Sequence, residues 1–137
     1  MHKISFYLIE KTAQRQADIA CRLCQKIQHK HRIWLYFSDA DYCKTLDEQL
    51  WQVEAASFLP HGIDLTHGQI CLSQHLPDPS FDVCVNLSSQ PIHLTELAHS
   101  ALHLIEIVGH NTQDKQVARE KFKYYRHIGI EPIVHKI

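Results

Sequence analysis

Residues 1–37 read MHKISFYLIEKTAQRQADIACRLCQKIQHKHRIWLYF, and the order of apolar runs within them decides the fold class. Ile4 to Ile9 (ISFYLI) is short, apolar and rich in β-formers, which predicts a strand. Residues 12 to 30 change period. Ala13, Ala17, Ala20, Leu23, Cys24 and Ile27 recur at helical steps, and Arg15, Gln16, Arg22, Lys26 and Lys30 fill the other face. Arg32 to Phe37 (RIWLYF) is apolar almost throughout, the pattern of a strand covered on both faces.

Working outward, Ser38-Asp39 caps a further helix over Ala40 to Leu50 or Trp51. A β-α-β-α order predicts a parallel sheet with helical crossovers. The middle is less regular. It holds an apolar tip at Ser57-Phe58-Leu59-Pro60, a short strand at Gln69 to Ser73 and a loop at Pro77-Asp78-Pro79-Ser80. Phe81 to Leu87 (FDVCVNL) and Ala101 to Val108 (ALHLIEIV) read as strands, with Leu94 to Ser100 open between helix and loop. Gly109 to Thr112 caps a helix over Gln113 to Ile128, Gly129 stops it, and Glu131 to Ile137 closes as an edge strand. The expectation is one α/β domain over residues 1–137: a mostly parallel sheet flanked by helices, Rossmann-like but without a phosphate loop.

Composition bounds the function. A chain of 137 residues, 45% apolar, can build one ordinary core. Net charge is −1 with histidines neutral, so anion binding would need a local patch rather than a basic surface. No apolar run suits a signal core or a membrane span, and the five cysteines suit reduced thiols, so a cytoplasmic protein is expected.

Motifs for catalysis and cofactors are missing. The turn after Ile9 reads Glu10-Lys11-Thr12-Ala13, with no glycine to let backbone amides approach a phosphate. Twelve histidines suggest metal pairs at His99/His103, His29/His31 and Cys71/His75, but no four ligands converge by spacing. Cys21 and Cys24 form a CxxC in mid-helix, away from the N-terminal dipole that activates such thiols, and Cys84 reads as a small core residue. No catalytic residue, metal or cofactor is expected.

The C-terminal helix does offer a site. At about 100° per residue from Lys115, Arg126 falls about 20° round, Arg119 about 40°, Lys123 about 80° and Phe122 about −20°. Val117, Tyr124 and Ile128, extended by Tyr125 and Ala118, form a separate core face. Lys121 falls inside the apolar arc, where snorkelling is expected. A solvated charged face is the bland reading. The sharper one is a cradle for an acidic peptide with an apolar residue, because micromolar affinity takes about 8 kcal/mol and exposed ion pairs give about 0.2–1 kcal/mol each. Direct binding of single-stranded nucleic acid, with Phe122 as stacking platform, is the alternative. A second candidate surface combines Trp51 with Phe58, Leu59 and Pro60, as either a loop folded on the core or a docking patch.

SFYLIE (5–10), LDEQLW followed by ASFLPHGI (46–63) and AREKFKYYRHIGI (118–130) together resemble the chi subunits of bacterial DNA polymerase III holoenzyme. The resemblance runs through most of the chain and is weakest over 64–80. It implies a non-catalytic α/β adaptor of the clamp-loader assembly in DNA replication. Such a subunit pairs one-to-one with the psi subunit, which tethers it to the clamp loader. It also binds the acidic C-terminal tail of single-stranded DNA-binding protein, which ends in an apolar residue with a free carboxylate. By position the tail would meet Lys115, Arg119, Phe122 and Lys123, with Arg126 beside them on the same stripe. Phenylalanine stands at 122 where tyrosine is expected, which removes a hydroxyl. The psi-facing surface would centre on Trp51, Phe58, Leu59 and Pro60, and a helicase-like repair protein would compete for it.

Overall fold

The computed structural model describes residues 2–10, 15–27, 30–53, 61–97 and 101–137. Seven strands form one sheet: β1 (Lys3–Leu8), β2 (Ile33–Tyr36), β3 (His61–Ile63), β4 (Ile70–Ser73), β5 (Val83–Asn86), β6 (His103–Val108) and β7 (Ile133–Lys136). Among the described residues three helices cover it, α1 (Gln16–Ile27), α2 (Ala40–Val53) and α3 (Thr112–His127), and a 3-10 turn spans Leu94–Glu96. The strand order is β3-β4-β2-β5-β6-β1-β7, and every pairing is parallel. The α/β reading therefore holds, and β7 lies at an edge as its proline suggested. β3 was not foreseen: a three-residue strand, HGI, is too short to show a period. α2 runs two residues past Trp51; of the stretch left open between helix and loop, Leu94–Glu96 is the 3-10 turn and residues 98–100 lie outside the described residues.

Alternate residues along the strands feed two cores. One, under α1 and α2, holds Ile33, Leu35, Ile70, Leu72, Val83, Val85, Ile105 and Ile107. The other, under α3, holds Ile4, Phe6, Trp34, Cys71, Cys84, Leu104 and Tyr125. Both faces being covered explains why these strands read as continuous apolar runs. All five cysteines are buried and free, so the reading of Cys84 as a core residue stands.

α3 is held at both ends by local chemistry. The Asn111 side chain accepts from the Asp114 amide at 2.7 Å, capping the first turn. The Asp114 carboxylate lies over Gly109, where a Cβ would come within 1.9 Å of it. At the other end Gly129 takes φ +92°, and the Ile130 amide donates to Tyr125 and the Gly129 amide to Arg126. This is a Schellman stop, which needs the left-handed conformation glycine adopts readily.

Candidate peptide-binding site

One row across the sheet positions the site. Asn86 pairs with Glu106, Glu106 with Phe6, and Phe6 with Val134. All belong to the face beneath α3. The apolar half of this row floors a pocket, and the polar half anchors the helix above it.

The polar half was missed from the sequence. Glu106 is 1% exposed in the middle of β6. Its carboxylate accepts from Lys121 Nζ at 2.9 Å, Asn86 Nδ2 at 2.8 Å and the Tyr125 hydroxyl at 2.6 Å. Lys121 Nζ also donates to the Ser88 carbonyl at 2.6 Å, and the Tyr125 hydroxyl accepts from the Ile92 amide at 3.1 Å. Burial pushes the Glu106 carboxyl above its ordinary range, and the Lys121 ammonium and the three donors pull it back. Lys121 is thus not snorkelling, as was expected, but buried at 5% exposure. A fixed carboxylate beneath the helix gives its ammonium a partner that water need not supply. The signals were a lone acid in ALHLIEIV, a lone amide in FDVCVNL and a lysine in the apolar arc.

The buried stripe of α3 is consequently rotated toward Phe122. Lys121 and Tyr125 are buried, while Val117, Ala118, Phe122, Tyr124 and Ile128 are half-buried. Phe122 was read on the cationic side. It does line the pocket together with Lys115 and Arg119, and its ring also meets Phe6 edge to face at 5.5 Å between centroids. That pocket has a volume of about 290 Å³. Phe6, Leu8, Phe122 and Val134 make it apolar, and Lys115 and Arg119 stand at its margin.

Three of the five helix residues singled out by sequence therefore meet: Lys115, Arg119 and Phe122. Lys123 and Arg126 do not line the pocket. They are exposed, with Lys123 3.9 Å from Glu120 and Arg126 3.2 Å from Glu131. Among the described residues, Lys115 and Arg119 have no ion-pair partner. Among the described residues, the cations of the stripe are thus paired at one end and unpaired at the pocket.

A second cleft, of about 230 Å³, lies at the carboxyl ends of β5 and β6 and is lined by Gln16, Ser88, Glu106, Asp114 and Lys121. Doubly wound folds receive phosphates at such a place, where a helix N-terminus points inward. Here the Asp114 carboxylate stands in the first turn of α3, and the Lys121 charge is taken up by Glu106.

Trp51 sits at the other end of the sheet. It is 59% exposed on α2 and its ring lies 4.3 Å from that of buried His61 on β3. Ile63, on the same edge strand, is 48% exposed. Phe58, Leu59 and Pro60 lie outside the described residues. Seven strands at about 4.8 Å spacing put β3 and β7 roughly 30 Å apart. Among the described residues no cluster of three or more metal-ligating side chains occurs, and no helix is long and apolar enough to cross a membrane.

Comparison with known proteins places this architecture. A solved structure described as the crystal structure of T4 UvsW superposes with a TM-score of 0.68 at 9% identity, covering 99% of this chain and 41% of that one. At that identity the likeness speaks for the fold alone. The DNA polymerase III subunit chi of Pseudomonas aeruginosa strain PAO1 is 24% identical over 142 aligned positions, covering 100% of this chain and 98% of its own length. The family described as DNA polymerase III chi subunit, HolC, matches residues 1–132. With nearly the whole chain matched, the protein belongs to the DNA polymerase III chi subunit family, an accessory part of the replicative polymerase assembly.

Proposed function

We propose that this subunit is a two-sided, non-catalytic adaptor. The α3–β7 side takes the acidic C-terminal tail of single-stranded DNA-binding protein, and the Trp51 side takes psi, which ties the pair to the clamp loader. The observation that carries the reading is the apolar pocket with Lys115 and Arg119 at its margin. A terminal apolar residue inside the pocket would contribute about 1.5–3 kcal/mol. Its free carboxylate, meeting an unspent guanidinium, would contribute about 1.5–3 kcal/mol more. Lys115 and Arg119 supply that charge, and Lys123 and Arg126 add only a screened field. The Trp51 patch stands at the opposite sheet edge, so both partners fit at once. Direct binding of single-stranded nucleic acid through Phe122 is less well supported, because that ring packs against Phe6 and walls the pocket.

Titration calorimetry of the tail peptide into the wild type and Arg119→Ala tests the tail site. Arg119 is exposed, so the variant keeps its fold, and its affinity falls about tenfold, or 1.4 kcal/mol. Unchanged affinity in a folded variant would sink the assignment. Binding also weakens with salt, since part of it is screened charge. A pull-down with psi and the single-stranded DNA-binding protein checks the two-sided arrangement, and Trp51→Ala should lose only psi.

A further inference from the structure

β7 ends the sheet, and its four side chains are all exposed. Ile133 and Val134 are each 47% exposed and Ile137, just beyond, is 37% exposed. An apolar strand with an open edge is a template for another strand. The direction of its hydrogen bonds can be read from the end of the ladder. The Ile137 amide donates to the Leu8 carbonyl at 2.9 Å, and the Ile137 carbonyl accepts from the Glu10 amide at 3.0 Å. In a parallel ladder alternate residues turn both backbone groups to the same neighbour. Ile133, His135 and Ile137 therefore face β1, and Val134 and Lys136 turn their N–H and C=O outward.

The same two residues carry their side chains on the α3 face. Val134 pairs with Phe6 and lines the pocket, and Lys136 pairs with Leu8, which also lines it. The outer hydrogen-bonding edge, which meets no strand among the described residues, and the pocket wall are thus one piece of chain. Lys136 brings a third cation to the end that already holds Lys115 and Arg119. We infer that β7 is a rail for strand addition: an acidic peptide seats its apolar carboxy-terminal residue in the pocket and runs its acidic segment along β7, bonded to the backbone of Val134 and Lys136. This rests on the pocket being the tail site. A second copy of the chain is the rival occupant, but two copies would place two such cationic ends on one interface, whereas an acidic peptide brings the opposite sign.

The test is calorimetry of the full chain with acidic peptides ending in an apolar residue, each N-methylated at one backbone amide of the acidic segment. Strand addition predicts a period of two. Methylation weakens binding about tenfold (1.4 kcal/mol) where the amide faces β7, and leaves it nearly unchanged at the residues between. Lys136→Pro, which removes the outward N–H along with the charge, weakens binding beyond Lys136→Ala, with circular dichroism confirming the fold. Small uniform effects of methylation, with Arg119→Ala still weakening binding, overturn the rail and leave the pocket standing. No binding of the unmodified peptide overturns both. A concentration-dependent dimer in sedimentation, lost in Lys136→Pro, assigns the edge to a second copy and overturns the rail.

Discussion

Lys121→Met should be among the most damaging single substitutions on α3, although it replaces a lysine with a good helix former. Lys121 and Glu106 side chains are 7% and 2% exposed, 2.9 Å apart. Methionine matches the stem of the lysine but leaves the carboxylate facing an apolar core with only Asn86 and Tyr125 as donors. Removing one partner of a buried pair costs about 3–5 kcal/mol, against a total stability of about 5–15 kcal/mol for a domain this size. The Ser88 carbonyl loses its donor too, so the turn at Ser88 to Ile92 should loosen. Adding Glu106→Gln removes the stranded charge and keeps an acceptor for Tyr125. The double variant should return to within about 1–2 kcal/mol of wild type, a coupling that a double-mutant cycle reads directly. Burial already pushes the Glu106 carboxyl upward. Without Lys121 it rises further, so the single variant binds more protons folded than unfolded and its deficit shrinks as pH falls. Urea denaturation followed by circular dichroism at pH 5 and pH 8 measures all of this, with unchanged m-values as the two-state check. A cost below about 1 kcal/mol, or a double variant no better than Lys121→Met, would refute the account of the network.

The other expectations concern acid, backbone and thiols. Burial, then the Lys3 charge and those of His31 and His135, hold His103 below its usual 6.5, with Asp82 opposing. The unfolded chain therefore binds the extra proton first, so stability declines as pH falls below about 6.5, and His103→Gln should flatten that slope in acid-titrated melts. An identical slope would exclude His103 as its source. Gly129→Ala meets no atom within 4 Å but must hold φ +92°. It should cost about 1–2 kcal/mol in urea midpoints through conformation alone, and no loss would contradict the Schellman stop. Burial first of all pushes the thiols of Cys21 and Cys43 up to about 11 and that of Cys71 up to about 12. A thiol reagent at neutral pH should label the native protein slowly and the urea-unfolded protein at all five cysteines. Rapid stoichiometric labelling of the native state would contradict their burial.

The strand-helix alternation of residues 4–37, the caps at Asn111 and Gly129, and the absence of phosphate-loop glycines were open to inspection in the sequence, because each is local. A period, a cap and a turn involve residues a few positions apart. Lys115, Arg119 and Phe122 were visible as neighbours on one helix for the same reason. What the helix rests on was not visible. The wheel set Phe122 beside the cations but not on Phe6, and left Lys121 with no reason to be buried, because neither Phe6 nor Glu106 lies near them in the chain. The parallel sheet brings those partners to adjacent strands, β1 and β6, in one register row. That row turns α3 by pairing Lys121 with Glu106 and seats Phe122 on Phe6. It also lets Val134, from the far C-terminal end, complete the pocket wall. Helical periodicity determined which residues could share a face; long-range strand pairing decided which way that face points, because burial of a charge is settled by the partner waiting beneath it.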